Sequence, residues 1–210
     1  MSDALWNLLA AHFDTHTITM HNQETQDENA FFETKTGSFL QMYDRTKVSL
    51  DFFKPTGLSS VQSMLPYLQK ANHSILVHNS FTSVNDVQAV EDKIQNAFWC
   101  LCPNANQYIE QTMPPIELLR SQNATLVVGT DSYASNWSLN ILDELKTIQK
   151  HHATIPLSEM LQWATLNGAH ALQMENTLGS FEKGKKPGVI LISEIEDEFV
   201  LKQAKCKKII

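Results

Sequence analysis

The sequence predicts an α/β fold built on a parallel sheet, and three observations carry that prediction. Four short runs of near-continuous apolar character, "ITMHN", "SILVHN", "AFWCLCP" and "ATLVVGTD", recur along the chain. Each is followed by a stretch with helical spacing, the order expected when crossover helices cover both faces of parallel strands. Each run also ends on polar residues, and in parallel sheets such ends lie on one rim, where α/β proteins keep their chemistry.

The elements follow in order. Ser2 and Asp3 can cap a helix running to Phe13, with Leu5, Leu8, Leu9 and Phe13 at helical spacing. The first strand, residues 18–22, hands over to an acidic helix starting near Thr25. "KPTGLSS" is a loop punctuated by proline and glycine, and residues 60–71 read as an amphipathic helix. The second strand, 74–79, precedes the polar-capped helix "SVNDVQAVEDKI". Pro103 stops the third strand; a helical turn and the helix "PPIELLRSQ" lead to the fourth. Helices then begin near Ser138 and Leu157, the second continuing to about Ala171. The tail "LGSFEKGKKPGVILISEIEDEFVLK" changes character: rich in glycine and lysine, it then alternates as antiparallel strands do. No internal repeat or low-complexity segment interrupts this order.

Size and charge narrow the classes. A chain of 210 residues can bury one sizeable core or two modest ones. Its 42% hydrophobic and 19% charged content are those of an ordinary globular protein. A formal net charge of -7 argues against nucleic acid or an anionic membrane surface as the main partner. No apolar run approaches a bilayer span, and "MSDALWNLLAAHF" lacks the basic start of a signal peptide. Three cysteines without a repeating framework fit a reducing, cytoplasmic location. Cys100 and Cys102 flank a single leucine, which is not a zinc-ribbon spacing; they read as small residues buried in a strand.

The strand ends carry His21, His78, the amides Asn104 and Asn106 of "CPNAN", and Asp131 of "GTDSYASN". Neutral imidazole and carboxylate are the usual ligands of catalytic zinc or iron. Glu24, three residues beyond His21, is a carboxylate that could shuttle a proton. Each residue has a plainer use: a loop histidine, a carboxylate opposing a helix dipole, an Asx turn at Asp131, turn amides after Pro103. Their shared position on successive strand ends favours a site.

The motifs "ITMHNQE", "ILVHNS", "CPNANQYI", "VVGTDSYASN", "MLQWATLNGAHAL" and "LGSFEKGKKPGVILI", in that order, resemble the amidohydrolase superfamily. The likeness is greatest to its metal-dependent deaminase and chlorohydrolase branch and extends over residues 17–192. The resemblance implies a (β/α)₈ barrel whose fifth-strand metal ligand is His21. Glu24 then matches the glutamate that protonates a substrate ring nitrogen, and His78 the sixth-strand histidine beside the attacking water. Asp131 matches the eighth-strand aspartate that both binds the metal and takes a proton. Asn106, Ser135 and Asn136 fall where substrate-facing or rim-shaping groups stand.

A departure accompanies the match. The family opens with a His-x-His pair on strand one, and this sequence has none. A full barrel takes about 250 residues, and only its last four strand-helix units are legible here. The expectation is therefore the C-terminal half of an amidohydrolase beginning at an internal methionine: strands five to eight over residues 1–180, then the returning strands of a small β-sandwich domain over 181–210. The parent activity would be hydrolytic deamination of an amino-substituted heteroaromatic ring (purine, pyrimidine or nucleoside-like) by metal-activated water, with zinc or iron. With only His21 and Asp131 of the ligand set, this half is expected to be inactive and to bind no metal tightly. Its open edges are expected to make it a homo-oligomer. Its small-molecule substrate belongs to the parent. Two rival readings are a non-catalytic half-barrel serving as an assembly module and a self-contained flavodoxin-like sheet.

Overall fold

The computed structural model describes residues 2–195 and 202–210. It holds a four-stranded sheet in the chain order β1-β2-β3-β4, the α/β architecture expected, and a separate two-stranded sheet. The strands are β1 (Thr17–Asn22), β2 (His73–His78), β3 (Ala97–Leu101), β4 (Leu126–Val128), β5 (Ile190–Ser193) and β6 (Lys205–Lys208). The chain divides into two compact units, one of residues 1–99 and 112–124, the other of residues 100–111 and 125–210.

The first unit opens with α1 (Asp3–Ala10), whose N-cap Ser2 accepts the Leu5 N–H through its hydroxyl, as expected. The helix ends three residues before the predicted Phe13. Phe13 is nonetheless buried, packing with Trp6 and Ala71 in a small core that Trp6 extends by stacking on Tyr67 at 5.1 Å. The strands β1 and β2 pair in parallel, with His21 opposite Val77 and Asn22 opposite His78. Between them run α2 (Gln26–Thr34), α3 (Ser38–Thr46) and α4 (Ser60–Leu68). The helix α3 was not foreseen. It starts at Gly37, whose φ of +94° suits glycine, and the Asp27 carboxylate accepts the Ser38 N–H at 3.0 Å. Its aromatic residues Phe39 and Tyr43 pack on Phe31, which also stacks on Phe53 at 4.4 Å. After β2, Ser83 and Asp86 close a capping box on α5 (Val84–Glu91), and α7 (Ile116–Ser121) completes the unit.

The second unit contains the end of β3, α6 (Pro103–Glu110), β4, and α8 (Ile141–His151), α9 (Leu157–Ala164) and α10 (Leu166–Ala171). Pro103 both ends the strand and occupies the first turn of α6, where its missing N–H costs nothing. The single helix expected over 157–171 is broken at Thr165, whose φ of -129° and ψ of -81° lie outside the helical region. The break lets Asn167 donate to the Leu126 carbonyl of β4 at 2.8 Å. The strands β5 and β6 pair antiparallel, as the alternation of the tail suggests; the part of that alternation in residues 196–201 lies outside the described residues.

In the order of the larger sheet, β1 and β4 are the outer strands. An outer strand presents unpaired backbone groups that template association. Exposed apolar side chains add to this, among them Leu8 at 70% exposure and Phe181 at 79%. Sedimentation of the 210-residue chain at micromolar concentration is expected to show dimers or larger species. A stable monomer across that range would overturn the expectation.

Candidate active site

Register alone would separate the two histidines. His21 sits opposite Val77, and the side chain of His78, next along β2, would normally leave the opposite face of the sheet. Yet β2 ends with His78 at a φ of +76° and Asn79 follows at +59°, both left-handed. That reversal turns the His78 ring back, so that its Nε2 lies 3.1 Å from His21 Nδ1 with the ring centroids 4.7 Å apart. A left-handed non-glycine residue costs about 1–2 kcal/mol, so the surroundings must hold it there.

They do so with buried amides. Asn79 donates its backbone N–H to the Asn22 carbonyl at 3.2 Å and its side-chain amide to Leu76 O at 2.8 Å. Asn22 donates its side-chain amide to Asn79 Oδ1 at 2.7 Å. One residue further, the Phe81 N–H reaches the Gln23 carbonyl at 3.1 Å. Gln23 accepts from the Thr82 hydroxyl and donates to the buried Asp86, which also accepts from Ser59, Gln62 and Ser83. Burial raises the Asp86 pKa, but the hydrogen bonds from Ser59, Ser83 and Gln23 outweigh it and hold the carboxyl below its ordinary value. The loops after β1 and β2 are thereby tied into one polar cluster beneath the two imidazoles.

Glu24 completes the group. Its Oε1 is 3.5 Å from His78 Nε2, and one ligand atom each of His21, Glu24 and His78 lie within 4.8 Å of one another. His21 is exposed, Glu24 half-buried and His78 buried, so the cluster opens to solvent on one side. The donor set suits a zinc-type cation. Nitrogens bound tetrahedrally at about 2.0–2.1 Å would stand roughly 3.3 Å apart, near the separation of these two. The described residues contain no other group of three such donors this close.

The remaining predicted residues belong to the second unit. Asp131 follows β4 at a φ of +56°, is half-buried, and accepts a short hydrogen bond from the Ser135 hydroxyl. Asn136, buried, donates to the Thr130 carbonyl at 2.6 Å and to Glu144 Oε1 at 2.7 Å. Asn106 is buried in the first turn of α6, where its N–H meets the Cys102 carbonyl. Glu144 went unnoticed in the sequence. It is completely buried on α8, and its Oε2 accepts the Asn104 N–H at 2.9 Å. Burial pushes its pKa up to about 7 although the hydrogen bonds from Asn104 and Asn136 oppose the rise. Glu144 thus joins the start of α6 to the loop that carries Asp131.

Against known proteins, the family model described as "Amidohydrolase family" matches residues 8–207. The chain belongs to the amidohydrolase family. An adenosine deaminase of Helicobacter pylori is 28% identical over 194 residues, which is 89% of this chain and 45% of that protein. A 5-methylthioadenosine/S-adenosylhomocysteine deaminase of Thermoanaerobacter pseudethanolicus is 25% identical over 76% of this chain and 38% of its own length. Among solved structures, Helicobacter pylori aminofutalosine deaminase in complex with methylthio-coformycin superposes with a TM-score of 0.75 at 24% identity. That match covers 92% of this chain and 47% of the other. This amidohydrolase chain therefore spans about half the length, or less, of these relatives. It shares the α/β fold of its structural neighbours over that portion. No described helix is long and apolar enough to cross a membrane.

Proposed function

We propose that this chain supplies the C-terminal half of the active site of a hydrolytic deaminase acting on an amino-substituted purine in a nucleoside-like molecule. The observation that carries the reading is the convergence of His21, Glu24 and His78 at the ends of two adjacent parallel strands. Relatives named as deaminases of adenosine and methylthioadenosine support the reaction and the substrate class. In this reading β1 to β4 are the last four strands of a (β/α)₈ barrel, and β5 and β6 are returning strands of a smaller β domain. Residues of the N-terminal half of the relatives would complete the site.

The reaction replaces a ring amine by oxygen: water adds to the carbon that bears the amine, a ring nitrogen takes a proton, and ammonia leaves. His21 and Asp131 would hold a zinc or iron ion, completed by groups outside this chain. When bound, the ion supplies Lewis-acid polarisation and lowers the pKa of water. Glu24 carries the proton that its carboxyl delivers to the ring nitrogen, a step suited to a half-buried carboxylate that can reach solvent. His78 orients the water through Nε2, and the Asp131 carboxylate receives the proton that the water gives up. Ser135 fixes the rotamer of Asp131, Asn136 pins the loop behind it, and Asn106 shapes the rim from α6. The protein acts in the cytoplasm as a homo-oligomer on a small molecule.

The rival reading is a half-barrel without catalysis that serves assembly through its outer strands. Ammonia release from adenosine and methylthioadenosine separates the two. The 210-residue chain alone is expected to release none and to retain no stoichiometric zinc or iron. A protein extended to the full length of its relatives is expected to release ammonia and to retain one metal ion. Activity and one tightly held metal ion in the short chain would refute the half-site reading; no activity in the extended protein would favour the assembly module.

A further inference from the structure

Gln23 stands between His21 and Glu24 and is the turning point of their loop. Its φ is +49°, left-handed for a residue with a Cβ, and its side chain is completely buried. A buried amide needs partners. Its oxygen accepts the Thr82 hydroxyl, and its nitrogen donates to Asn29 Oδ1 at 3.3 Å and to Asp86 Oδ2 at 3.1 Å. Asn29 in turn donates to the Phe81 carbonyl at 3.2 Å. The segment that carries Glu24 is therefore bonded to the segment that follows His78. Asp86, buried on α5, divides its two oxygens between different tasks. Oδ1 accepts from Ser59, the N-cap of α4, and from Gln62 of α4 at 2.7 Å. Oδ2 accepts from Gln23 and, at 2.9 Å, from the Ser83 N–H, so it takes one donor from each loop of the site. One oxygen anchors the carboxyl to the helices; the other holds the loops.

We propose that Asp86 is a positioning residue, which through Gln23 and Ser83 sets the Glu24 loop against the His78 loop; its effect on the reaction rests on the deaminase reading above. Glu24 Oε1 lies 3.5 Å from His78 Nε2. A displacement of about 1 Å among reacting groups costs on the order of a hundredfold in rate. Binding of the substrate by the rest of the site is unaffected, so the loss falls on kcat rather than KM.

Two measurements test it, one of them independent of activity. In the 210-residue chain with isotope-labelled histidine rings, His21 and His78, with centroids 4.7 Å apart, should give a nuclear Overhauser contact. Asp86→Ala is expected to lose that contact. So is Gln23→Met, which removes the amide but leaves Ser59, Gln62 and Ser83 on Asp86, and which carries the test if Asp86→Ala does not fold. Asp86→Asn is expected to keep the contact. Its carbonyl at the Oδ2 position still accepts from Gln23 and Ser83, and its amide at the Oδ1 position meets the Ser59 hydroxyl, which can accept. In a protein extended to the full length of the relatives, Asp86→Ala and Gln23→Met should each lower kcat by about tenfold to a hundredfold with KM little changed. The double variant should be no slower than the slower single one, and Asp86→Asn should run close to the wild-type rate. Weakened folding alone would lower the melting temperature and leave the ring contact and kcat of the folded protein in place. A retained contact in Gln23→Met or in folded Asp86→Ala, additive losses of rate, or an Asp86→Asn as slow as Asp86→Ala would overturn the proposal. An extended wild type that releases no ammonia would remove the deaminase reading instead, and the ring contact would then decide the role of Asp86.

Discussion

In a protein extended to the full length of the relatives, the proposed acid role of Glu24 predicts that Glu24→Gln lowers kcat by about a hundredfold or more while leaving metal content unchanged, the loss typical of a missing general acid. Glutamine keeps the shape and the hydrogen-bonding reach of the side chain but cannot deliver a proton. His21→Ala in the same protein is expected to act differently, because it removes a ligand nitrogen from a pair only 3.1 Å apart. Metal content and activity should then fall together. Elemental analysis and steady-state ammonia release, measured on both variants, distinguish the roles. Full metal with an intact rate in Glu24→Gln would remove the acid role. Loss of metal in that variant would make Glu24 a ligand, a role its 3.5 Å approach to His78 also permits geometrically.

The strand ends were legible for a physical reason. Parallel strands buried on both faces are written as apolar runs, so the first polar residue after each marks the rim, and His21, His78 and Asp131 stand out there. What brings two of them together was not legible. The contact of His78 with His21 depends on a left-handed backbone at a non-glycine residue, which no local pattern announces. The same holds for the amides Asn22, Gln23 and Asn79, polar residues at or just past the strand ends that turn out to be buried supports. The helix α3 was missed although Phe39 and Tyr43 stand four residues apart on one of its faces; both pack on Phe31 of the preceding helix. Glu144 shows the limit most plainly. "ILDELKTIQK" reads as a helix with a charged outer face, yet one of its carboxylates is completely buried against Asn104 and Asn136, forty and eight positions away.

That buried carboxylate makes the second large effect, a fall in stability as pH rises towards neutrality. Glu144 has a folded pKa of about 7, whereas in the unfolded chain it returns to about 4.3. Between those values the folded state holds a proton that the unfolded state has released, so unfolding is favoured more at each step upward in pH. The contribution is fully present below the unfolded value, declines through the interval, and is lost above about pH 7, a total of roughly 4 kcal/mol at about 1.36 kcal/mol per unit. Asp86 works in the opposite sense at the other end of the scale. Its depressed pKa adds stability that is present above the ordinary carboxylate range and lost as pH falls through the folded value. Urea unfolding at several pH values tests the first of these against a Glu144→Gln variant. The wild-type free energy should decline between about pH 5 and pH 7 more steeply than that of the variant, which has no proton to lose. Every other titratable group is common to both proteins, so the difference between the two slopes isolates Glu144. Glu144→Ala should instead destabilise at every pH, by about 2–4 kcal/mol, because the Asn104 N–H and the Asn136 amide both lose a buried acceptor. Parallel slopes in wild type and Glu144→Gln would show that the Glu144 carboxyl is not held protonated in the fold. The two amide donors, rather than burial, would then set its charge.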